Sequence, residues 1–229
     1  MEFFDSLINE VNSLIENSSK LVHRFCEKEQ WADLGYSQVV LQRDMAFELN
    51  GTGFSLVTTS AVGDEIVIVG KDLCDIHSSC NFARVAVVEI DDTEDEQTAY
   101  DLIKKIEFIK YHCFPDGFMM RSASSSFKEC VRISKSALKK GLDFYKIGNL
   151  LISKYKEIPQ VKGVKIIFIT DAAADYSSIK SLAEKNRAIT ETLNRVMNDM
   201  TFDCSSCNLK PICDEVEGMR ELHFKSAQK

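Results

Sequence analysis

The sequence predicts an α+β fold, with helices packed on a mixed β-sheet, an N-terminal amphipathic helix and a C-terminal metal-binding loop. Short stretches rich in β-branched residues are grouped between residues 37 and 91. Helical periodicity dominates the chain on either side of this block. Segregation of strands from helices, rather than their regular alternation, is typical of the α+β class.

The composition restricts the class of protein. The 229 residues have an ordinary hydrophobic fraction of 45 % and a net charge of −7, which argues against a nucleic-acid partner. No apolar run approaches the ~20 residues of a membrane helix, and Glu2, Asp5 and Glu10 argue against a signal peptide. We therefore expect a cytoplasmic protein that binds no membrane and whose eight cysteines are reduced.

The N-terminal residues predict one amphipathic helix over residues 2–28, with a break near residues 17–19. Its apolar side chains recur at spacings of three, four or seven, namely at Phe4, Leu7, Val11, Leu14, Ile15, Val22 and Phe25. On this basis we divide the chain into an N-terminal helical segment (1–36), an α+β domain (37–200) and a cysteine-rich tail (201–229).

Strands are predicted over residues 36–42, 45–50, 54–60, 64–70 and 83–91. The sequence "NGTG" at 50–53 predicts a hairpin turn, because Asn and Gly tolerate positive φ. The run "IVIV" at 66–69 lacks polar alternation, which predicts a strand covered on both faces.

Helices are predicted after this block, at 93–112, 132–141, 146–158 and 177–200, with a buried strand over 163–172. A capping box of Thr93 and Glu96 begins the first helix, and Gly141 ends the second. The Ser-rich stretch at 121–126 predicts a surface loop.

The strongest chemical signal is the C-x2-C-x5-C pattern of Cys204, Cys207 and Cys213. Thiolates at this spacing can point at one metal ion. A redox pair normally opens a helix after a strand, and buried structural cysteines prefer apolar neighbours, whereas these follow a long predicted helix and have polar neighbours. Zinc and an iron–sulfur cluster both accept such ligands, and the spacing does not decide between them.

The wider sequence resembles the middle domain of acetyl-CoA synthase, the β subunit of the carbon monoxide dehydrogenase/acetyl-CoA synthase complex. The resemblance covers residues 45–224 and rests on these segments, in order: "MAFEL", "GDEIVIVGKDLCDI", "VRISKSALKKGLDFYKIGNLLISKYKEI", "VKIIFITD" and the closing cysteines. It implies a role in the one-carbon metabolism of an anaerobe, with that complex or another redox protein as partner.

In this family the corresponding cysteines bind a 4Fe-4S cluster that is bridged to two nickel atoms. Carried over, Cys204, Cys207 and Cys213 would bind the cluster, and His223 stands where the family has its fourth cysteine. The resemblance therefore implies a Cys3His set that holds either a 4Fe-4S cluster or zinc. One of the other cysteines is an alternative fourth ligand.

The sequence departs from the family in its nickel site, because it contains no C-x-C pair. Acetyl-CoA synthase activity would then need a nickel-binding domain supplied by another chain. Arg132 matches a family position near coenzyme A, but the tryptophans expected nearby are absent. Arg132 is thus the candidate cofactor-binding residue, and no catalytic residue is assigned.

Three further features have simpler explanations. Cys74, His77 and Cys80 form C-x2-H-x2-C, which we interpret as incidental residues of a loop. Asp171 follows a buried strand, where catalytic carboxylates often lie, and Asp175 is interpreted as a helix cap.

The preferred hypothesis is an accessory 4Fe-4S protein that acts in electron transfer, sensing or assembly. The alternatives are an interaction module stabilised by zinc and a subunit of acetyl-CoA synthase that acts with a separate nickel domain.

Overall fold

A computed structural model of the protein describes residues 4–92, 96–123 and 128–197. The strands are β1 (Lys20–Arg24), β2 (Met45–Thr58), β3 (Glu65–Val69), β4 (Cys80–Ile90), β5 (Phe118–Ala123), β6 (Lys128–Ser134) and β7 (Val161–Ile169). The helices are α1 (Asp5–Leu14), α2 (Glu96–Phe108), α3 (Lys135–Lys139), α4 (Phe144–Lys156) and α5 (Tyr176–Met197). The α+β class is confirmed.

The strands form one mixed sheet in the order β1-β3-β7-β4-β2-β6-β5. The pairs β3–β7 and β2–β4 are parallel, and the remaining neighbours are antiparallel. The central strands are almost completely buried, and residues 66–69 of β3 are buried throughout, as their unbroken apolar run predicts.

Helix α4 covers one face of the sheet. Strand pairing aligns Ile66, Ile166, Ala86 and Ser55 in one row across β3, β7, β4 and β2, so their side chains share a face. The hydroxyl of Tyr155 in α4 lies 2.9 Å from the Ser55 Oγ. This contact identifies the face that α4 covers.

Helices α1 and α5 cover the opposite face. Thr58 lies three residues after Ser55 in β2 and therefore points to the other side. Its hydroxyl donates a hydrogen bond to the Asp5 carboxylate of α1 at 2.8 Å. Helix α5 packs against α1, β2 and β4, so the sheet is the middle layer of three.

The prediction of one helix over residues 2–28 is only partly confirmed. Helix α1 ends at Leu14, and residues 20–24 form strand β1 instead of a second helical half. Strand β1 pairs with the outer edge of β3, from Lys20 opposite Val69 to Arg24 opposite Glu65. Pairing satisfies backbone groups of β3 that a helix would leave exposed, which explains why the strand forms.

The hairpin predicted at residues 50–53 is wrong, because β2 runs without interruption from Met45 to Thr58. Gly51 and Gly53 have ordinary strand conformations, since neither has a positive φ. A Cβ at Gly51 would lie 1.4 Å from the Phe82 carbonyl oxygen, and one at Gly53 would lie 1.9 Å from the Glu129 carboxylate. These glycines permit the close approach of neighbouring groups, which is the other use of glycine in a strand.

Two other local predictions are corrected. Residues 36–42 form no strand; Gln38 Nε2 donates to the Pro115 carbonyl oxygen at 2.7 Å, and the Val40 N–H contacts the Met119 sulfur. The helix predicted over 132–141 begins at Lys135, because Arg132 still belongs to β6 and Ser134 caps α3 by accepting from the Ala137 N–H.

The remaining predictions in this region have mixed outcomes. Gly141 has a φ of 87° after α3, which confirms its left-handed role. Residues 121–123 lie in β5 rather than in a loop, whereas residues 124–127 and the predicted cap residue Thr93 lie outside the described residues.

Substituting Gly51 by Ala should destabilise the protein by about 1–3 kcal/mol, because the new methyl group would displace the β4 backbone. The free energy of unfolding in urea measures this effect. Gly63→Ala is the matched control, since nothing lies within 4 Å of a Cβ at that position. Equal stability of the two variants would contradict the assignment of Gly51 to close strand packing.

Candidate functional site

The predicted metal ligands lie outside the described residues. Cys204, Cys207, Cys213 and His223 all follow Met197, the last residue of α5. Seven positions separate Met197 from Cys204 in the sequence. The four-residue ligand set therefore stays a prediction.

The end of α5 that precedes this segment packs on α2. The Tyr100 hydroxyl of α2 donates a hydrogen bond to the Asn194 side chain. One turn earlier on α5, the Thr190 hydroxyl lies 3.5 Å from the Glu107 carboxylate. These contacts fix the place in the fold from which the chain leaves the described domain.

Arg132, the candidate coenzyme A contact, is paired with a carboxylate. Its Nε lies 2.7 Å from the Glu48 Oε1, in the neighbouring strand β2. The Arg132 side chain is 39 % exposed, so an incoming ligand could reach it. An anionic ligand would have to compete with Glu48, which neutralises the guanidinium in this structure.

Arg132 lies near the start of α5, one helix length away from its end. The first residue of α5, Tyr176, donates through its hydroxyl to the Asn81 carbonyl oxygen. Asn81 pairs with Asn50, two residues after the Glu48 partner of Arg132. The 22 residues of α5 then extend for about 33 Å, at ~1.5 Å per residue.

A cleft lies near Arg132, at the first residues of β4 and α5. Its volume is about 420 Å³, and its lining residues are Asn50, Ser79, Cys80, Asn81, Thr170, Ala172 and Tyr176. Several of its polar groups already have structural bonds: the Thr170 hydroxyl donates to the Lys71 carbonyl oxygen, and the Ser79 hydroxyl accepts from the Glu48 N–H. Among the residues that the structure describes, no charged side chain lines this cleft.

The other cysteines are distributed over the fold. Cys113 is buried, and burial raises the pKa of its thiol to about 12. Cys130 lies on β6 opposite Asn50, and burial together with the nearby Glu48 raises the pKa of its thiol. Protonated thiols at these positions are poor nucleophiles and poor metal ligands.

The loop of Cys74, His77 and Cys80 does not form a metal site in this structure. Cys74 is exposed, Cys80 is half-buried, and desolvation raises the pKa of both thiols. Within residues 4–92, 96–123 and 128–197, no group of three or more His, Cys, Asp or Glu side chains is arranged to hold a metal.

The two aspartates near the start of α5 have structural contacts. Asp175 accepts hydrogen bonds from the Ser178 N–H and hydroxyl, which lower the pKa of its carboxyl and confirm it as the helix cap. Asp171, after β7, accepts from the Ala173 N–H in a local turn. Neither contact suggests catalysis.

The most unusual electrostatic feature is a buried ion pair that the sequence analysis missed. Arg84 of β4 bonds Glu129 of β6 through two parallel contacts, Nε–Oε1 at 2.9 Å and Nη2–Oε2 at 2.7 Å. Both side chains are 1 % exposed or less. Burial disfavours the charged guanidinium, but the Glu129 carboxylate outweighs this effect and raises the pKa of Arg84.

The two glycines of β2 make room for this pair. Arg84 is the strand partner of Gly53, and Glu129 is the partner of Gly51, so both charged side chains meet above β2. An arginine within the apolar run "FARVAVV" and two glycines within a strand were the available signals. Arg84 Nη1 makes no hydrogen bond with any residue that the structure describes.

One further ionisable group, Lys110, lies near this pair, just after the end of α2, and it also interacts with Glu107 of α2. Burial lowers the pKa of the Lys110 ammonium, and the positive charge of Arg84 lowers it further. Burial raises the pKa of the Glu107 carboxyl. The end of α2 therefore forms part of the covering of the buried charges.

Comparison with known proteins identifies the family of this domain. The sequence model of the CdhC family, the CO dehydrogenase/acetyl-CoA synthase complex beta subunit, matches residues 36–174. The chain belongs to this family. A search of curated proteins found no match. The family match confirms the resemblance that the strand and helix segments indicated.

The matched range has a boundary that matters for the site. It includes Arg132, the buried ion pair and the lining residues of the cleft except Tyr176, and it ends at residue 174, before α5. The cysteines and His223 lie beyond it. In the described residues, no helix is long and apolar enough to cross a membrane.

Replacing Arg84 by Met should cost about 3–5 kcal/mol of stability, because Glu129 would then be buried without its counter-ion. The double substitution Arg84→Met/Glu129→Leu should cost less than Arg84→Met alone, since it removes both charges. Urea unfolding measures both variants. Lys180→Met, which removes the exposed Lys180–Glu184 pair, is the control and should change stability by about 0.5 kcal/mol or less. A double variant no more stable than Arg84→Met would contradict this account.

Proposed function

We propose that this member of the family is an accessory 4Fe-4S protein, with Cys204, Cys207, Cys213 and His223 as cluster ligands. The observation that carries the proposal is the family match over residues 36–174, which is followed in the sequence by the cysteine motif. When bound, the cluster would supply one-electron chemistry.

The donor set is compatible with an iron–sulfur cluster that has one unusual ligand. Three thiolates and one imidazole can hold either a cluster or zinc. A neutral imidazole in place of a thiolate makes the site less negative, and His-for-Cys replacement raises the reduction potential in Rieske centres. The sequence contains no C-x-C pair, so the two-nickel chemistry is not part of the proposal.

The role we propose is electron transfer, sensing or assembly in one-carbon metabolism. The family description names a CO dehydrogenase/acetyl-CoA synthase complex, and we include association with subunits of that kind, or with another redox protein, in the proposal. Reduced thiols and an oxygen-sensitive cluster suit the cytoplasm of an anaerobe.

The content of iron, sulfide, zinc and nickel in anaerobically purified protein tests the cluster directly. We expect about four irons per chain and an EPR signal after reduction with dithionite. His223→Cys should lower the reduction potential, because a thiolate adds negative charge, and His223→Ala should change the EPR signal. His77→Ala is the control and should change neither. One zinc and no iron would overturn the cluster and support the zinc-stabilised interaction module instead.

Coenzyme A binding at Arg132 is a separate proposal. We expect Glu48→Gln to increase affinity for coenzyme A, because it removes the carboxylate that competes for Arg132. Arg132→Gln should abolish the binding. Isothermal titration calorimetry measures both variants, with Lys139→Gln on α3 as an exposed control. Equal affinity of the wild type and the Arg132 variant would remove Arg132 from the coenzyme A site.

A further inference from the structure

Two asparagine side chains stand next to each other in the cleft at the first residues of β4 and α5. Asn50 of β2 and Asn81 of β4 are strand partners, so their side chains point to the same face of the sheet from backbones roughly 5 Å apart. Both residues are exposed, and neither carboxamide makes a hydrogen bond with any residue that the structure describes. Each carboxamide therefore has an unused carbonyl oxygen and an unused amino group.

The other polar groups of the cleft are mostly used by the fold. The Thr170 hydroxyl donates to the Lys71 carbonyl oxygen at 2.7 Å and accepts from the Lys71 N–H at 2.8 Å. The Tyr176 hydroxyl donates to the Asp171 carbonyl oxygen at 3.0 Å. The two carboxamides are therefore the main groups with which a ligand in the cleft would form hydrogen bonds.

The charges around the cleft balance each other. Arg132 lies beyond the lining residues and is paired with Glu48. Lys71 and Asp171, which act electrostatically on lining residues, carry opposite charges. An anion or a cation would have to leave water without a counter-ion in the lining, which costs free energy. An uncharged polar ligand avoids this cost.

We propose that this cleft binds an uncharged heterocycle of the nucleobase class through Asn50 and Asn81. A nucleobase presents hydrogen-bond donors and acceptors next to each other on one edge, and an asparagine carboxamide can bond such an edge through both its oxygen and its nitrogen. A linear trans amide points its N–H and its C=O in opposite directions, so it cannot present both to two carboxamides on one face of a sheet. The arrangement therefore favours a ring over a peptide-like chain.

The size and position of the cleft fit a ligand of this class. Its volume of about 420 Å³ lies within the range of ~300–1,000 Å³ that is typical of small-molecule sites. The cleft lies beyond the carboxyl end of β7, whose neighbour β3 is parallel to it. Crevices at the carboxyl ends of parallel strands are where open α/β sheets bind their ligands. The site needs neither the metal nor Arg132, so it goes beyond the proposed function.

An NMR titration of the ¹⁵N-labelled full chain with inosine tests this site. We expect shifts of the side-chain amide signals of Asn50 and Asn81, together with backbone amides of residues 170–176. The control ligand is 1-methylinosine, whose methyl group replaces the ring N–H that the carboxamides would bond, and it should bind about tenfold more weakly or less. Inorganic phosphate should cause no shift at these positions. An absence of shifts with inosine, shifts centred elsewhere, or equal binding of the two nucleosides would overturn the proposal.

Substitutions in the two strands test the carboxamides themselves. Asn50→Val and Asn81→Val should each weaken inosine binding about tenfold or more, because each removes one carboxamide and keeps a side chain that suits a strand. Both positions are exposed, so the variants should remain folded, which the backbone amide spectrum checks. Asn12→Ala, at an exposed position of α1, is the matched control and should not change the affinity. Inosine binding that is as tight in both valine variants as in the wild type would contradict the proposed site.

Discussion

The buried pair of Arg84 and Glu129 is the constraint on which the arrangement of the sheet depends. Two opposite charges out of water are tolerable only when their geometry is good, and here both contacts are shorter than 3 Å. This geometry requires β4 and β6 to flank a strand with no side chains at two positions on that face. Gly51 and Gly53 supply that strand, and their neighbours must keep their register for the charges to meet.

A pair of this kind contributes more clearly to register than to net stability. A well-packed apolar replacement can be as stable as a buried ion pair. However, a slip of β6 by one residue would turn Glu129 to the opposite face and leave Arg84 buried alone. The same register places Arg132 opposite Glu48, three residues further along β6. The buried pair therefore also positions the exposed one, which is the candidate ligand contact.

The sequence predicted the elements whose signals are local and missed those that depend on distant neighbours. β3, β7, α4 and α5 could be predicted because their apolar patterns and ends are contained within each segment. The glycines at 50–53 were misread as a turn, because the group that requires a glycine at position 53 is Glu129, far along the chain. We predicted a helix over the residues of strand β1, because pairing with β3 gives no signal in the local sequence beyond two apolar residues. Arg132 could be proposed from the family resemblance, but its Glu48 partner could not.

The geometry of the described domain separates the two places that the proposed function would need. Arg132 and the cleft lie where α5 begins, whereas the last turns of α5 pack on α2, whose Tyr100 contacts Asn194. The chain continues from this second end toward Cys204 in the sequence. The two ends of α5 are about 33 Å apart along the helix. Coupling between a ligand at Arg132 and a metal bound after α5 would therefore require a change in the sheet or in α5 itself.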